Sequence, residues 1–209
     1  NGFEFYKGEV EKVDAAGRKI VLKDGSSLGF KALILAPGAE VDFFGIPGLK
    51  ERAMTLKNLD DAMHIRERLM RMMKDEQAGK EVQIRVLIGG GGATGVETAA
   101  EMAGNFHHLE REGKIKNGGW AITLVEATPR ILGILPKDIS ERARVRLEAL
   151  GVKVLRDTCI KRVEGAHVIL APRPLREGER SEELLCDFAP EAEKMFEADL
   201  IIWAGGVRA

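Results

Sequence analysis

The run Val86-Leu87-Ile88-Gly89-Gly90-Gly91-Gly92-Ala93-Thr94-Gly95-Val96-Glu97-Thr98-Ala99-Ala100-Glu101-Met102-Ala103 passes from buried-strand text into strong helix text through a chain of glycines. Gly90, Gly92 and Gly95 stand in a G-x-G-x-x-G pattern, which alone says little in a chain with 24 glycines. Its context gives it weight. In a strand-turn-helix the first glycine permits the tight turn, the second admits a pyrophosphate against the backbone, and the third lets helix and strand pack closely. Unpaired N–H groups at the helix start then receive the phosphate charge.

Downstream, the apolar text alternates. A strand is expected over 82–88, a helix from Thr94 to about Leu109, a strand over 121–125, a helix over 139–150 and a strand over 152–155. Short connections between them predict parallel strands joined by right-handed crossovers. The fold class is therefore α/β, a Rossmann-like doubly wound parallel sheet. Residues 161–170 turn at Gly165 and predict an antiparallel β-meander, Arg173 to Glu183 read as a charged loop, and 199–203 close the domain as a last apolar strand.

Upstream, strands are expected over 3–14, 19–23 and 30–35, with turns at Ala16-Gly17 and Asp24-Gly25-Ser26. Proline and glycine in Ala36-Pro37-Gly38 and Gly45-Ile46-Pro47-Gly48 mark a connector. Leu59, Ala62, Met63, Ile65, Leu69 and Met72 then recur at helical spacing, predicting an amphipathic helix over 58–76 with Asn58 as its N-cap. Met63, Met70, Met72 and Met73 read as core gap-fillers. Three segments result: 1–45, an N-terminal β segment; 46–80, connector and helix; 81–209, the Rossmann domain.

The second half of a dinucleotide fingerprint is an acid at the end of the second strand, placed to accept from ribose hydroxyls. Glu126 in Leu124-Val125-Glu126 occupies that position. It follows Gly95 by 31 positions where about 20 is usual, and a longer helix with a polar loop near 112–119 absorbs the excess. A carboxylate there repels a 2′-phosphate, so NADH is expected over NADPH; nearby Arg130 is the feature that argues the other way.

Composition narrows the partners. The 209 residues are 44% hydrophobic and 31% charged, with 32 basic and 33 acidic side chains giving a net charge of −1. No long-range field favours nucleic acid, and no apolar run approaches the roughly 20 residues of a membrane span. Cys159 and Cys186 form neither a disulfide framework nor a zinc spacing, and a reducing cytosol fits them. His107 and His108 beside Glu110 point about 100° apart on a helix, so cap or solvent roles are expected and no metal site. Trp120 and Trp203 read as packing anchors.

Several motifs together resemble the flavoprotein reductases in which an NAD domain is inserted into an FAD domain. Leu33-Ile34-Leu35-Ala36-Pro37-Gly38 is similar to the strand and alanine-threonine-glycine turn of that superfamily, with Pro37 in place of threonine. Phe43-Phe44-Gly45-Ile46-Pro47-Gly48, Thr55 to Ala62, Gly90 to Glu97 and Ile202 to Ala209 more narrowly resemble type II NADH dehydrogenases, the NADH:quinone oxidoreductases. The resemblance implies that Gly90, Gly91, Gly92, Ala93, Thr94 and Gly95 hold the NADH pyrophosphate, with Ala93 where the family usually has proline. It implies Glu126 as the ribose ligand and Ala204, Gly205 and Gly206 as a turn beside the nicotinamide. It matches Glu97 to a family glutamate that handles a proton or positions the nicotinamide; the plain alternative is a carboxylate favoured by the helix dipole.

The same resemblance implies FAD as the hydride acceptor, a quinone as partner, and a cytoplasmic location peripheral to the inner membrane. It makes residues 1–45 part of an incomplete FAD domain. The FAD glycine motif, the quinone site and the membrane-binding helices are expected outside this sequence, so the chain should bind NADH without turnover and without FAD. Residues 1–40 would then expose strand edges able to pair with another copy. Other readings are a sulfide:quinone, ferredoxin or disulfide reductase, for which Cys159 is the cysteine to consider, or a non-catalytic NADH-binding module.

Overall fold

The computed structural model describes residues 2–77, 83–173 and 193–208. They divide into two compact units, Asn1–Ala39 and Glu40–Ala209. In the first, β1 (Val10–Asp14), β2 (Lys19–Leu22) and β3 (Ser27–Gly29) form an antiparallel sheet in that order. Both expected turns form, and each is held by an aspartate: Asp14 accepts the Gly17 N–H at 2.8 Å and Asp24 the Ser26 N–H at 2.9 Å.

The strand expected over 30–35 does not form, nor does β1 extend back to Phe3. Phe3 is 93% and Ile34 92% exposed. An apolar alternation shows what a segment is fit to bury, whereas a ladder needs a neighbouring strand, and no described segment supplies one.

In the second unit the order is β4 (Glu40–Val41), α1 (Leu49–Arg52), β5 (Met54–Thr55), α2 (Leu59–Gln77), β6 (Ile84–Gly89), α3 (Ala93–Arg111), β7 (Trp120–Val125), α4 (Lys137–Ala149) and β8 (Val152–Leu155). There follow β9 (Thr158–Glu164), β10 (His167–Pro172), β11 (Lys194–Glu197), β12 (Leu200–Trp203) and β13 (Val207–Arg208). Five strands make a parallel sheet in the order β5-β12-β6-β7-β8. Residues 46–77 are thus no separate connector. β5 is an edge strand of the sheet, and Ile65 and Met72 of α2 enter its core. The division falls at residue 39 because β4 pairs with β13, at the far end of the chain.

Strand period sorts the two faces. Val86, Ile88, Ile122, Leu124, Leu200 and Ile202 pack with Ala99, Ala103, Phe106 and Leu147 on the helical side. Leu87, Val125, Ile201 and Trp203 point the other way, onto Ile160, Val163, Val168 and Leu170 of the antiparallel sheet β9-β10-β11. The three long helices therefore share one face and the meander covers the second. The winding explains it: β5, β6, β7 and β8 advance in one direction, and the meander carries the chain back to β12 between β5 and β6. The described part of the expected charged loop is Arg173 alone; 174–183 lie outside the described residues.

Helix α2 starts as its sequence predicts. Asn58 Oδ1 accepts the Asp61 N–H at 2.8 Å, and the Asp61 carboxylate accepts from Thr55 Oγ1 and the Lys57 N–H, both at 2.8 Å. Of the four methionines read as core, Met72 is buried and Met73 half-buried, but Met63 and Met70 are exposed. They lie on the side of α2 turned away from the sheet, where 3.6 residues per turn carries positions 63 and 70.

The entry into β12 is fixed by charge. Asp199 accepts the Arg85 N–H at 3.0 Å and the Arg85 Nε and Nη2 at 2.9 Å each, while Glu197 pairs with Nη1. Burial works to raise the Asp199 pKa, and the Arg85 hydrogen bonds outweigh it and hold the group below the usual carboxylate range. A folded-state pKa below the unfolded one gives stability that is present above the unfolded value, near 3.9, and lost as pH falls through the folded one. Asp199→Asn is expected to cost about 1–3 kcal/mol at pH 7. In urea titrations the gap from the wild type should begin to close below about pH 5 and go on closing as the pH falls through the folded-state pKa.

Candidate functional site

The site begins where β6 ends. Gly90 donates its N–H to Val125 O at 2.9 Å and sits at φ 110°, a conformation closed to most side chains. A β-carbon on it would lie 2.5 Å from Ala204 O and 2.6 Å from the Gly205 Cα. One on Gly95 would run into the Gly90 carbonyl oxygen. A β-carbon on Gly92, by contrast, would meet nothing within 4 Å. The three glycines thus divide their work: turn, open face, helix-to-strand contact. Gly92 is also the N-cap of α3 and offers no side chain, so the N–H groups of the first turn at Ala93, Thr94 and Gly95 meet no side-chain cap.

Glu126 stands one strand over, half-buried after the end of β7. Its backbone is bridged on both sides, N–H to Leu155 O at 2.8 Å and carbonyl to the Thr158 N–H at 3.0 Å. Its carboxylate faces the glycine loop. Oε2 accepts the Gly91 N–H at 2.7 Å and Oε1 the Thr128 N–H at 2.7 Å. The loop after β7 closes the arrangement, because Leu132 donates its N–H to Gly91 O at 2.7 Å. Arg130 Nη2 donates to Gly133 O at 2.9 Å and its Nη1 to Leu135 O at 3.4 Å. That guanidinium is spent on its own loop, which weakens the case for a 2′-phosphate site.

On the other side of β6 the chain leaves β12 through Ala204, whose N–H donates to Gly89 O at 2.7 Å, and through half-buried Gly205 and Gly206. The exits of β6 and β12 therefore touch, while the chain from β6 turns into α3 and that from β12 runs to β13. Such a point, outside the carboxyl ends of a parallel sheet, is where ligands bind in open α/β folds. A cavity of about 260 Å³ opens there. Gly90, Glu126 and Gly205 line it, along with mostly apolar neighbours.

The structure brings the glycine loop, Glu126 and the turn at 204–206 together. Glu97 lies further along α3, exposed, and does not line this cavity. Sequence reasoning missed Thr128, which holds Glu126 in place, and the walls Phe44, Ile46, Thr158 and Ile160. The motif Phe43 to Gly48 was the available signal for the first two; nothing in the text marks the others. Trp203 is both a packing residue, 8% exposed, and a cavity wall. Cys159 is buried on the same wall.

His107 and His108 each have partners within the fold. His107 lies between Glu110 Oε2 at 3.3 Å and Leu150 O at 3.1 Å, its ring edge-on to Trp120, and His108 pairs with Glu112 at 3.1 Å. Trp120 in turn stacks on Phe106 at 5.4 Å. Among the described residues no group of three or more His, Cys, Asp or Glu is placed to hold a metal ion, and no helix is long and apolar enough to cross a membrane.

Comparison with known proteins gives the chain a family and a fold. The chain is 28% identical over 210 residues to the demethylphylloquinone reductase NdbB of Synechocystis, covering 99% of this chain and 44% of that protein. It is 26% identical over 208 residues to a type II NADH:quinone oxidoreductase of Staphylococcus saprophyticus, covering 98% of this chain and 47% of the other. Among solved structures, Plasmodium falciparum NDH2 in complex with NADH superposes with a TM-score of 0.71 at 24% identity, over 96% of this chain and 40% of that one. The chain spans less than half the length of these relatives. Residues 1–209 match the family of pyridine nucleotide-disulphide oxidoreductases along their whole length, and the chain belongs to that family.

Proposed function

We propose that this chain is the NADH-binding part of a flavin-dependent NADH:quinone oxidoreductase. The observation that carries the reading is a glycine loop with an open face at Gly92, backed by a helix start without a side-chain cap and faced by the Glu126 carboxylate. The residues fit a dinucleotide: phosphate oxygens at the first-turn N–H groups of α3, ribose hydroxyls at Glu126. The relatives support the choice of acceptor, since the names of the Synechocystis and Staphylococcus saprophyticus proteins give them a quinone acceptor.

Dinucleotide and flavin supply the hydride chemistry when both are bound. This chain's part is to bind and orient. Gly92 and the N–H groups after it would fix the diphosphate, Glu126 the adenosine ribose, and the turn at Ala204, Gly205 and Gly206 would let a flat ring approach. Glu97, exposed on α3, would then flank the nicotinamide, with positioning or proton handling as its task. Residues 1–39 are read as a β segment of the flavin domain. In this reading the enzyme is peripheral to the cytoplasmic face of the membrane.

Titration calorimetry of the chain with NADH and NADPH tests the assignment. NADH should bind more tightly than NADPH, and Glu126→Ala should weaken NADH about 10- to 100-fold, the loss expected for hydrogen bonds to a charged group; tighter binding of NADPH would remove Glu126 from the ribose.

Two glycine substitutions separate folding from binding. Gly92→Ala places its methyl in open space, so the unfolding midpoint should stay unchanged while NADH binding falls by tenfold or more. Gly95→Ala drives a methyl into the Gly90 carbonyl, and should lower stability by about 1–3 kcal/mol as well as binding.

A further inference from the structure

Phe44 occupies a backbone conformation that aromatic residues rarely adopt, φ 50°. Three contacts hold it there. Its N–H donates to Asp42 Oδ1 at 2.8 Å, and the Asp42 carbonyl accepts Trp203 Nε1 at 2.7 Å. The Asp42 N–H in turn donates to Gly206 O at 3.1 Å. The ring of Phe44 meets Trp203 edge-on, centroids 6.3 Å apart and planes at 76°. It also fills the space beside Gly206, where a β-carbon would lie 2.8 Å from Phe44 Cζ.

Strain of this kind persists only where surrounding contacts over-determine it. Here they aim a half-exposed ring, 42% accessible, at the cavity that Glu126 and Gly90 also line. Burial alone does not account for the placement, since an apolar side chain with this much exposure gains little from it. A flat apolar wall open to a cavity is suited to a planar ring.

We propose that Phe44 is a positioning residue that gives the nicotinamide half of the dinucleotide its ring wall. The inference rests on the NADH reading above. Its direction follows from the strand order: Glu126 follows β7, the glycine loop leaves β6, and Trp203 ends β12 with the turn at 204–206 after it, β6 lying between the other two. Neighbouring strands are about 4.8 Å apart, so a dinucleotide with its adenosine ribose at Glu126 and its diphosphate at the loop extends its far end toward β12 and Phe44.

The test is titration calorimetry of the wild type, Phe44→Ala and Phe44→Tyr with two probes: NADH, and ADP-ribose, which lacks nicotinamide. Phe44→Ala should weaken NADH about three- to tenfold, the range of one aromatic contact, and leave ADP-ribose within twofold; Phe44→Tyr should restore NADH binding. Unchanged NADH binding by Phe44→Ala would overturn the proposal, as would an equal loss for both probes, which would place the wall against adenosine. If Phe44→Ala unfolds, Phe44→Tyr and Phe44→Leu carry the comparison: Leu should bind NADH more weakly than Tyr, and equal affinities would overturn it. Failure of the wild type to bind NADH would instead remove the nucleotide reading, and this inference with it.

Discussion

The contact between Gly95 and the Gly90 carbonyl is the constraint on which the site depends. It sets how closely α3 approaches the exit of β6, and so where the first-turn N–H groups of the helix emerge relative to the sheet. A helix displaced outward by one methyl would carry those donors away from the crevice and pull Gly91 from Glu126 Oε2, now 2.7 Å from its N–H. The loop beyond β7 would follow, since Leu132 is tied to Gly91 O. One absent side chain thus sets the helix, the loop and the carboxylate together.

The second requirement is a covered sheet on both faces, which this chain meets by two different means. Parallel strands joined by helices leave one face open when all crossovers run one way. Here Leu87, Val125, Ile201 and Trp203 need cover, and the meander β9-β10-β11 gives it through Ile160, Val163, Val168 and Leu170. The same return path inserts β12 beside β6 and makes their two exits meet. Covering the core and forming the crevice are therefore one topological event. Arg85 and Asp199 hold it at the opposite end of those strands, so the register of β12 does not rest on apolar packing alone.

Much of this was legible because local rules and tertiary structure agree. The period of 82–88, 121–125 and 199–203 identifies strands whose faces are both buried, and Asn58 begins its helix by the capping rule. The position of Glu126, beyond the end of β7 and facing the glycine loop, was legible from its place in the sequence pattern. What escaped depends on partners remote in sequence. Residues 30–35 have strand composition and no neighbour to ladder with. Met63 and Met70 share the chemistry of Met72 and differ only in the side of α2 they occupy, which the mixed apolar pattern does not resolve. Thr128 contributes a backbone N–H, a group every residue but proline owns, so its identity carries no signal. Phe44 becomes a wall only because Trp203, 159 positions away, lies against it.

The hydrogen bonds of Glu126 bear on how a sugar would be recognised. A carboxylate group has about four lone-pair directions, and two of them are taken by the N–H groups of Gly91 and Thr128. Those bonds hold the group in one orientation and compensate its partial burial before any ligand arrives. Under the proposed reading, two acceptor directions remain for the vicinal hydroxyls of one ribose. A neutral diol can meet them as a donor; a 2′-phosphate offers only acceptors and adds charge against charge. Discrimination between the two dinucleotides would then come from a carboxylate that cannot swing away without breaking its bond to the glycine loop, so the residue that would select the sugar would also hold the proposed phosphate site in shape.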